Sequence, residues 1–187
     1  MANTNPLKVI TGKVRFSYAH VFEPAATSDD GGDKKYSVSL IIPKSDKATL
    51  AKIKTAIEAA KQAGLAKWGG KLPKVVKTPL RDGDAEKDDE CYENSMFINA
   101  KSSQKPGIVD ANLDEIISRD EFYSGCYGYA SVAFFAYDNG VSKGVTCGLN
   151  AVLKTKDGER FGGSRGSAQA DFAGILGTAD DNDEDVF

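Results

Sequence analysis

The chain has 187 residues, 41% hydrophobic and 27% charged, with 24 Lys and Arg against 27 Asp and Glu. That suits one folded domain with some decoration or a tail, and no apolar run approaches the ~20 residues of a membrane-spanning helix. The net charge of −3 divides unevenly: the last eight residues hold five acids and no base, which leaves 22 acids against 24 bases in the body.

A slightly basic body with an acidic end points to an interaction tail. Met1–Pro6 lacks the basic-then-apolar pattern of a secretion signal. Cys91, Cys126 and Cys147 are odd in number and widely spaced. They read as reduced core residues of a cytoplasmic protein.

In chain order, Leu7–Phe16 alternates as a strand. Ile10, Val14 and Phe16 share one face; Thr11, Lys13 and Arg15 share the other. A long loop with His20 and Phe22 follows, then the polar turn Ser28–Lys35. Tyr36–Ile42 is a strand with Tyr36, Val38, Leu40 and Ile42 on one side, and Pro43 ends it. Ser45–Ala63 is the clearest helix. Ser45 is the expected N-cap, Leu50, Ile53, Ile57 and Ala60 form its buried stripe, and Gly64 is the expected C-cap. A short helical turn covers Leu65–Trp68, and Lys71–Glu93 reads as loop.

Met96–Lys101 alternates again, with Met96, Ile98 and Ala100 inward and Phe97, Asn99 and Lys101 outward. Ile108–Glu121 reads as an extended piece and a helical turn. The strongest signal is a hairpin, Cys126–Tyr137 and Val145–Lys154, around the Asn-Gly of Asp138–Lys143. Its first strand sorts by parity. Cys126, Ala130, Val132 and Phe134 form a core face, while Tyr127, Tyr129, Ser131, Phe135 and Tyr137 form an aromatic one.

About five strands with a helix between the second and third suggest a mainly β protein, an OB-type five-stranded, partly closed barrel. The expected division is a folded body over 1–161 and a disordered Gly/Ser/Ala linker with acidic tail over 162–187, where little apolar surface offsets ordering entropy.

An aromatic strand face beside bases suits single-stranded nucleic acid, because rings stack on bases of any sequence and Lys and Arg neutralise phosphates. The same aromatics could instead fill a core. The tail ends in Val186-Phe187, an apolar hook behind a negative run. It could dock in a basic pocket of a partner, cover the protein's own basic groove, or simply solvate the chain.

The acids Asp82, Asp84, Glu86, Asp88, Asp89 and Glu90 superficially echo a calcium loop or a metal-dependent nuclease. They lack the later glycine and the distant bidentate glutamate of an EF-hand, and they fall in a loop. His20 is the single histidine, and no GxSxG elbow, zinc-spaced set or phosphate-binding loop is present. No metal, cofactor or catalytic residue is expected.

Five segments carry a resemblance. They are GKVRFSYAHVFEP (Gly12–Pro24), KYSVSLIIPKSDKATLAKIKTAIEAA (Lys35–Ala60), PLRDGD (Pro79–Asp84), NAKSSQKPGIVD (Asn99–Asp110) and YSGCYGYASVAFFAYDNGVSKGVTCGLNAV (Tyr123–Val152). In their order, and with the acidic tail, they resemble the OB-fold single-stranded DNA-binding proteins of tailed bacteriophages. The resemblance implies a non-catalytic protein that coats single-stranded DNA in phage replication, recombination or repair. It also implies a tail, Asp180, Asp181, Asp183, Glu184, Asp185 and Phe187, that contacts replication or recombination proteins.

The expected DNA contacts come from alternation. Arg15, Lys35 and Lys101 would meet phosphates, and Tyr18, Phe97, Tyr127, Tyr129 and Tyr137 would stack on bases. Self-association as a homodimer stays open, and no membrane partner is expected. Two rival readings remain, the nuclease and a protein-interaction module with all its aromatics in the core.

Overall fold

In the computed structural model, which describes residues 5–26 and 34–161, alternating apolar residues build eight strands. They are β1 (Lys8–Ile10), β2 (Val14–Ala26), β3 (Lys34–Pro43), β4 (Leu80–Asp82), β5 (Ser95–Ser102), β6 (Gly107–Val109), β7 (Tyr127–Asp138) and β8 (Lys143–Lys156). The sheet order is β1-β7-β2-β3-β5-β8-β6, and β7 also pairs with β8. Five strands, β7-β2-β3-β5-β8, thus close a ring. All its pairings are antiparallel except β5 with β8, which meet in parallel at Lys101 and Gly148. This is the mainly β, five-stranded OB-type arrangement expected, with the helix between the second and third strands of the ring.

The ring's interior is the core, with Phe16, Val38, Leu40, Ile42, Ile98, Val132 and Phe134 buried in one cluster. Phe16 and Phe122 pack ring to ring at 4.9 Å. Helix α1 (Lys47–Gly64) lies against β7, β1 and β8, and buries Ile53, Ala56, Ile57 and Ala60. Its cap is Asp46, not Ser45: the Asp46 carboxylate accepts from the Thr49 N–H at 3.1 Å and from the Thr49 hydroxyl at 2.6 Å. The chain does not stop at Gly64 but tightens into a 3-10 turn, Leu65–Trp68, closed by Gly69 at φ 74°.

Two strand expectations change, both where a strand loses phase. Leu7–Phe16 is two strands jogged at Thr11–Lys13. There Thr11 turns inward, its hydroxyl accepting from the Ala130 N–H at 3.0 Å, and the Gly12 N–H donates to the Thr49 hydroxyl at 2.8 Å. The jog puts Val9 in the core and leaves Ile10 exposed. The supposed loop holding His20 and Phe22 is the continuation of β2. Register with β3 shifts between Ser17 and His20. Tyr18 sits there at φ 47°, and a bulge of this kind reverses which residues face inward.

Lys71–Glu93 is not plain loop. It contains β4, a one-turn helix α2 (Gly83–Glu86) and a 3-10 turn at Glu90–Tyr92. Cys126 and Cys147 are buried free thiols and Cys91 is half-buried. Desolvation pushes the Cys91 thiol up to about 11. No helix among the described residues is long and apolar enough to cross a membrane. The linker and acidic tail, 162–187, lie outside the described residues, as does most of the expected Ser28–Lys35 turn.

Candidate nucleic-acid interface

β7 displays the two faces its parity predicts. Gly128, Ala130, Val132, Phe134 and Ala136 are buried; Tyr129 and Phe135 are exposed, and Tyr127, Ser131 and Tyr137 are partly so. Across the ladder, Phe135 stands opposite Thr146, Tyr137 opposite Gly144, and Ala133 opposite Gly148. Gly148 also pairs with Lys101 of β5. A Cβ on Gly148 would lie 3.0 Å from the Phe135 ring. The bare backbone there seats the ring and keeps the floor open between Phe135 and Lys101.

β5 and β8 pair only at that point, and the rest of their seam is unpaired. The segment Lys77–Asp82 fills the opening. The Val145 N–H donates to the Lys77 carbonyl at 2.8 Å, and the Lys77 N–H donates to the Lys143 carbonyl at 3.1 Å. Leu80–Asp82 then pair with Met96–Ile98 as β4. The result is an open groove of about 1170 Å³. Its floor is Thr146–Asn150 with Asn99 and Lys101. One wall is Lys77–Asp82, the other is Phe135, Tyr137 and Asn139, and Lys35 lies at one end.

Charge in the groove is biased by pairing. Arg81 is neutralised by Glu86 at 2.7 Å and Asp82 by Lys44 at 2.9 Å. Lys35, Lys77 and Lys101 form no ion pair among the described residues. The groove therefore offers three uncommitted cations beside two aromatic rings, which suits an extended polyanion with flat bases.

Of the eight side chains expected from alternation, Lys35, Lys101 and Tyr137 come together here. Tyr129 lies farther along the same outer face of β7. Arg15 and Tyr127 form a separate patch. The Arg15 guanidinium lies 5.0 Å from the Tyr127 ring and 4.0 Å from that of Phe161. It donates to the carbonyls of Gly125 at 3.0 Å and Glu159 at 2.9 Å, so it ties two backbone segments together. Tyr18 is exposed on the β2 bulge.

Phe97 requires a correction. It points outward from β5 as its parity demands, yet is only 1% exposed. Tyr92 covers it, with ring centroids 5.2 Å apart, and Ile41 completes a small second cluster. Lys87 lies within 5.5 Å of the rings of Tyr18, Tyr92 and Phe97. The segment 83–93 thus folds over the outer face of β3 and β5 and closes Phe97 to a base. Alternation reports the side of a strand; it cannot report that a distant segment has been laid over that side.

Phe135, Lys77 and Arg81 line the groove but were not among the favoured contacts. Phe135 was legible, since it shares parity with Tyr137. Lys77 and Arg81 were not, because their segment lacks any period that shows it adding to two strands.

The first half of the acidic run, Asp82, Asp84 and Glu86, is occupied by the protein's own cations. Lys44 bridges Asp82 and Asp84, at 2.9 and 2.6 Å, and holds both carboxyls below the usual range. The Asp84 carboxylate also accepts from the Asn94 N–H at 3.0 Å. Glu86 is gripped by Arg81. These carboxylates pin the covering segment in place, and among the described residues no three His, Cys, Asp or Glu are grouped to hold a metal ion.

Comparison with known proteins gives a consistent outcome. The profile of the family described as "Enterobacter phage Enc34, ssDNA-binding protein" matches residues 7–187. "Putative protein p50" of Acyrthosiphon pisum secondary endosymbiont phage 1 is 32% identical over 176 residues, 89% of this chain and 92% of that protein. Among solved structures, the single-stranded DNA-binding protein of bacteriophage Enc34 in complex with ssDNA is 30% identical. The match covers 83% of this chain and 90% of that one, at a TM-score of 0.67. A C-terminal truncation of the Enc34 protein superposes at a TM-score of 0.72, with 29% identity, 83% of this chain and 89% of that one. The gp2.5 single-stranded DNA binding protein of bacteriophage T7 shares the fold at 16% identity and a TM-score of 0.60, over 88% of this chain and 93% of that one.

Proposed function

Because the chain belongs to the phage Enc34 family of single-stranded DNA-binding proteins, we propose that its groove is where it holds single-stranded DNA. The protein binds the strand without catalysis and with tolerance of sequence, in phage replication, recombination or repair. The observation that carries the placement is the meeting of Phe135 and Tyr137 with Lys35, Lys77 and Lys101 in one open groove. The rings stack on bases and the three lysines neutralise phosphates. Tyr129 extends the row of rings along the outer face of β7, and Tyr127, Tyr18 and Arg15, which lie outside the groove, are lesser contacts.

The test is an anisotropy titration with a labelled oligo-dT of about 30 nucleotides beside the matched duplex, at several salt concentrations. Tight single-strand binding that weakens with salt is expected. Each of Lys35→Ala, Lys77→Ala and Lys101→Ala should lower the slope of log K against log salt by about 0.7, the value per phosphate on a single strand. Three unchanged slopes would place the phosphate track elsewhere.

The division into a body, 1–161, and a linker with acidic tail, 162–187, belongs to the same proposal. The tail, with five acids ahead of Val186-Phe187, recruits replication or recombination proteins and competes with DNA for the body's cations. Deleting Asp180–Phe187 should raise apparent DNA affinity, most visibly at low salt. Equal or weaker binding by the shortened chain would count against the competition while leaving recruitment standing. Homodimer formation is checked by sedimentation of the free protein.

A further inference from the structure

Two surfaces outside the groove are complementary, and β8 sets them apart. At one end of β8, Gly144 bridges Lys77, so the segment ahead of Lys77 lies beside the tip of the β7–β8 hairpin. Between Ala59 and Leu80 the chain has five lysines and no acid; Lys77 lines the groove and Lys61 pairs with Glu58, so Lys71 and Lys74 carry the charge of this end. That end exposes Leu72, Val75 and, at the hairpin tip, Val141, which is 94% exposed.

At the other end, Ala151–Leu153 pair with β6, and Val109 of β6 bridges Glu115. Here Val109–Phe122 holds five acids and one base, Arg119; Arg119 is paired with Glu23 and Asp120 with Arg160, which leaves Asp110, Asp114, Glu115 and Glu121 without an ion pair among the described residues. Leu113 and Ile117 stand out from this end, 71% and 79% exposed. Leu113 has φ 66°, in a turn where the Asp110 carboxylate accepts from the N–H groups of Asn112 and Asp114 at 2.8 and 3.0 Å. Ile116 anchors the segment in the core and its N–H donates to the Ile108 carbonyl at 2.8 Å.

From Gly144 to Val152 is eight residues, roughly 26 Å of strand, and the groove floor, Thr146–Asn150, lies between the two ends. A lysine-rich apolar surface thus sits beyond one end of the groove and an acidic apolar surface beyond the other. Contact between one end of a protomer and the opposite end of the next is heterologous. It joins copies head to tail, and heterologous contacts of this kind build open chains. A lone protomer leaves both apolar sets in water; a neighbour of the same chain covers both and neutralises both charges.

We propose that successive protomers on a single strand contact one another head to tail, the acidic end around Leu113 and Ile117 of one against the lysine end around Leu72 and Val75 of the next, and so bind cooperatively. The inference rests on the reading of the groove as the DNA site. None of Lys71, Lys74, Asp114 and Glu115 is a groove residue.

The experiment compares binding to a short oligo-dT that holds one protomer with binding to a long single strand. Asp114→Lys with Glu115→Lys should leave short-oligomer affinity within about twofold and weaken long-strand binding by about tenfold or more, as expected of opposed charges at an interface. Lys71→Glu with Lys74→Glu should also abolish cooperativity. The chain carrying all four substitutions has its ends exchanged and should regain it. Wild-type cooperativity in the first variant, or no recovery in the exchanged chain, overturns the contact. Normal short-oligomer binding by a wild-type chain with no cooperativity overturns the contact alone. Failure to bind either length overturns the DNA reading and the assembly with it.

Discussion

Phe135→Ala is expected to weaken oligo-dT binding roughly 5- to 150-fold, the equivalent of the 1–3 kcal/mol that one base–aromatic stack contributes. The ring is 47% exposed and lies over Gly148, on the groove floor opposite Lys101. It therefore presents a flat face where a base can reach it while a nearby lysine meets the phosphate. Because the side chain is outside the core, unfolding free energy should change by less than about 1 kcal/mol. Adding Tyr137→Ala should deepen the loss. The Tyr137 carbonyl that accepts from the Trp68 indole N–H at 3.1 Å is main chain, so that contact survives the substitution. Affinity unchanged in the double variant, with the fold intact by circular dichroism, would remove the stacking role from this groove.

One residue earlier, the consequence inverts. Phe134→Ala should cost about 3–5 kcal/mol of stability, a large part of the roughly 5–15 kcal/mol that holds a domain folded. Phe134 is fully buried in the ring's interior, opposite Cys147 on β8, and its N–H donates to the Leu7 carbonyl at 2.8 Å. Truncation leaves a cavity that a closed ring, hydrogen-bonded on both sides of β7, cannot collapse to fill. Urea unfolding should show a lower midpoint with little change in slope. At temperatures where the variant remains folded, its DNA affinity should stay close to that of the parent. A midpoint within error of wild type would mean that Phe134 is not packed as described. The pair is a strict test of strand parity: adjacent phenylalanines, one felt in affinity and the other in stability.

Local pattern carried far where one physical cause acted alone. The β7–β8 hairpin follows from an alternating run on each side of Asn139-Gly140, with Gly140 at φ 83°. Helix α1 follows from Ile53, Ile57 and Ala60 at helical spacing. The aromatic and aliphatic faces of β7 fall on the sides their parity assigns. The segments shared with phage single-strand binders carry the family membership in the sequence itself.

The failures share a different cause. Tyr18 at a bulge and the jog at Thr11–Lys13 each shift alternation by a residue, and partners far along the chain hold the jog, Ala130 on Thr11 and Thr49 on Gly12. Arg15 is bound to carbonyls more than a hundred residues away. Phe97 is covered by Tyr92, and Lys77 becomes a groove wall only because β5 and β8 pair at a single point and leave an opening for its segment.

Within an unbroken strand or helix, side-chain direction is therefore a property of neighbours in sequence, since a period of two or 3.6 is set by the backbone alone. Which outward-facing rings remain open to a ligand is set by what the closed ring places over them. Lys44 and Arg81 settle that for the acidic segment, by pairing its carboxylates and holding it across β3 and β5. Long-range pairing of this kind leaves no periodic trace in the chain, so the groove could be located only once the strands had closed around it.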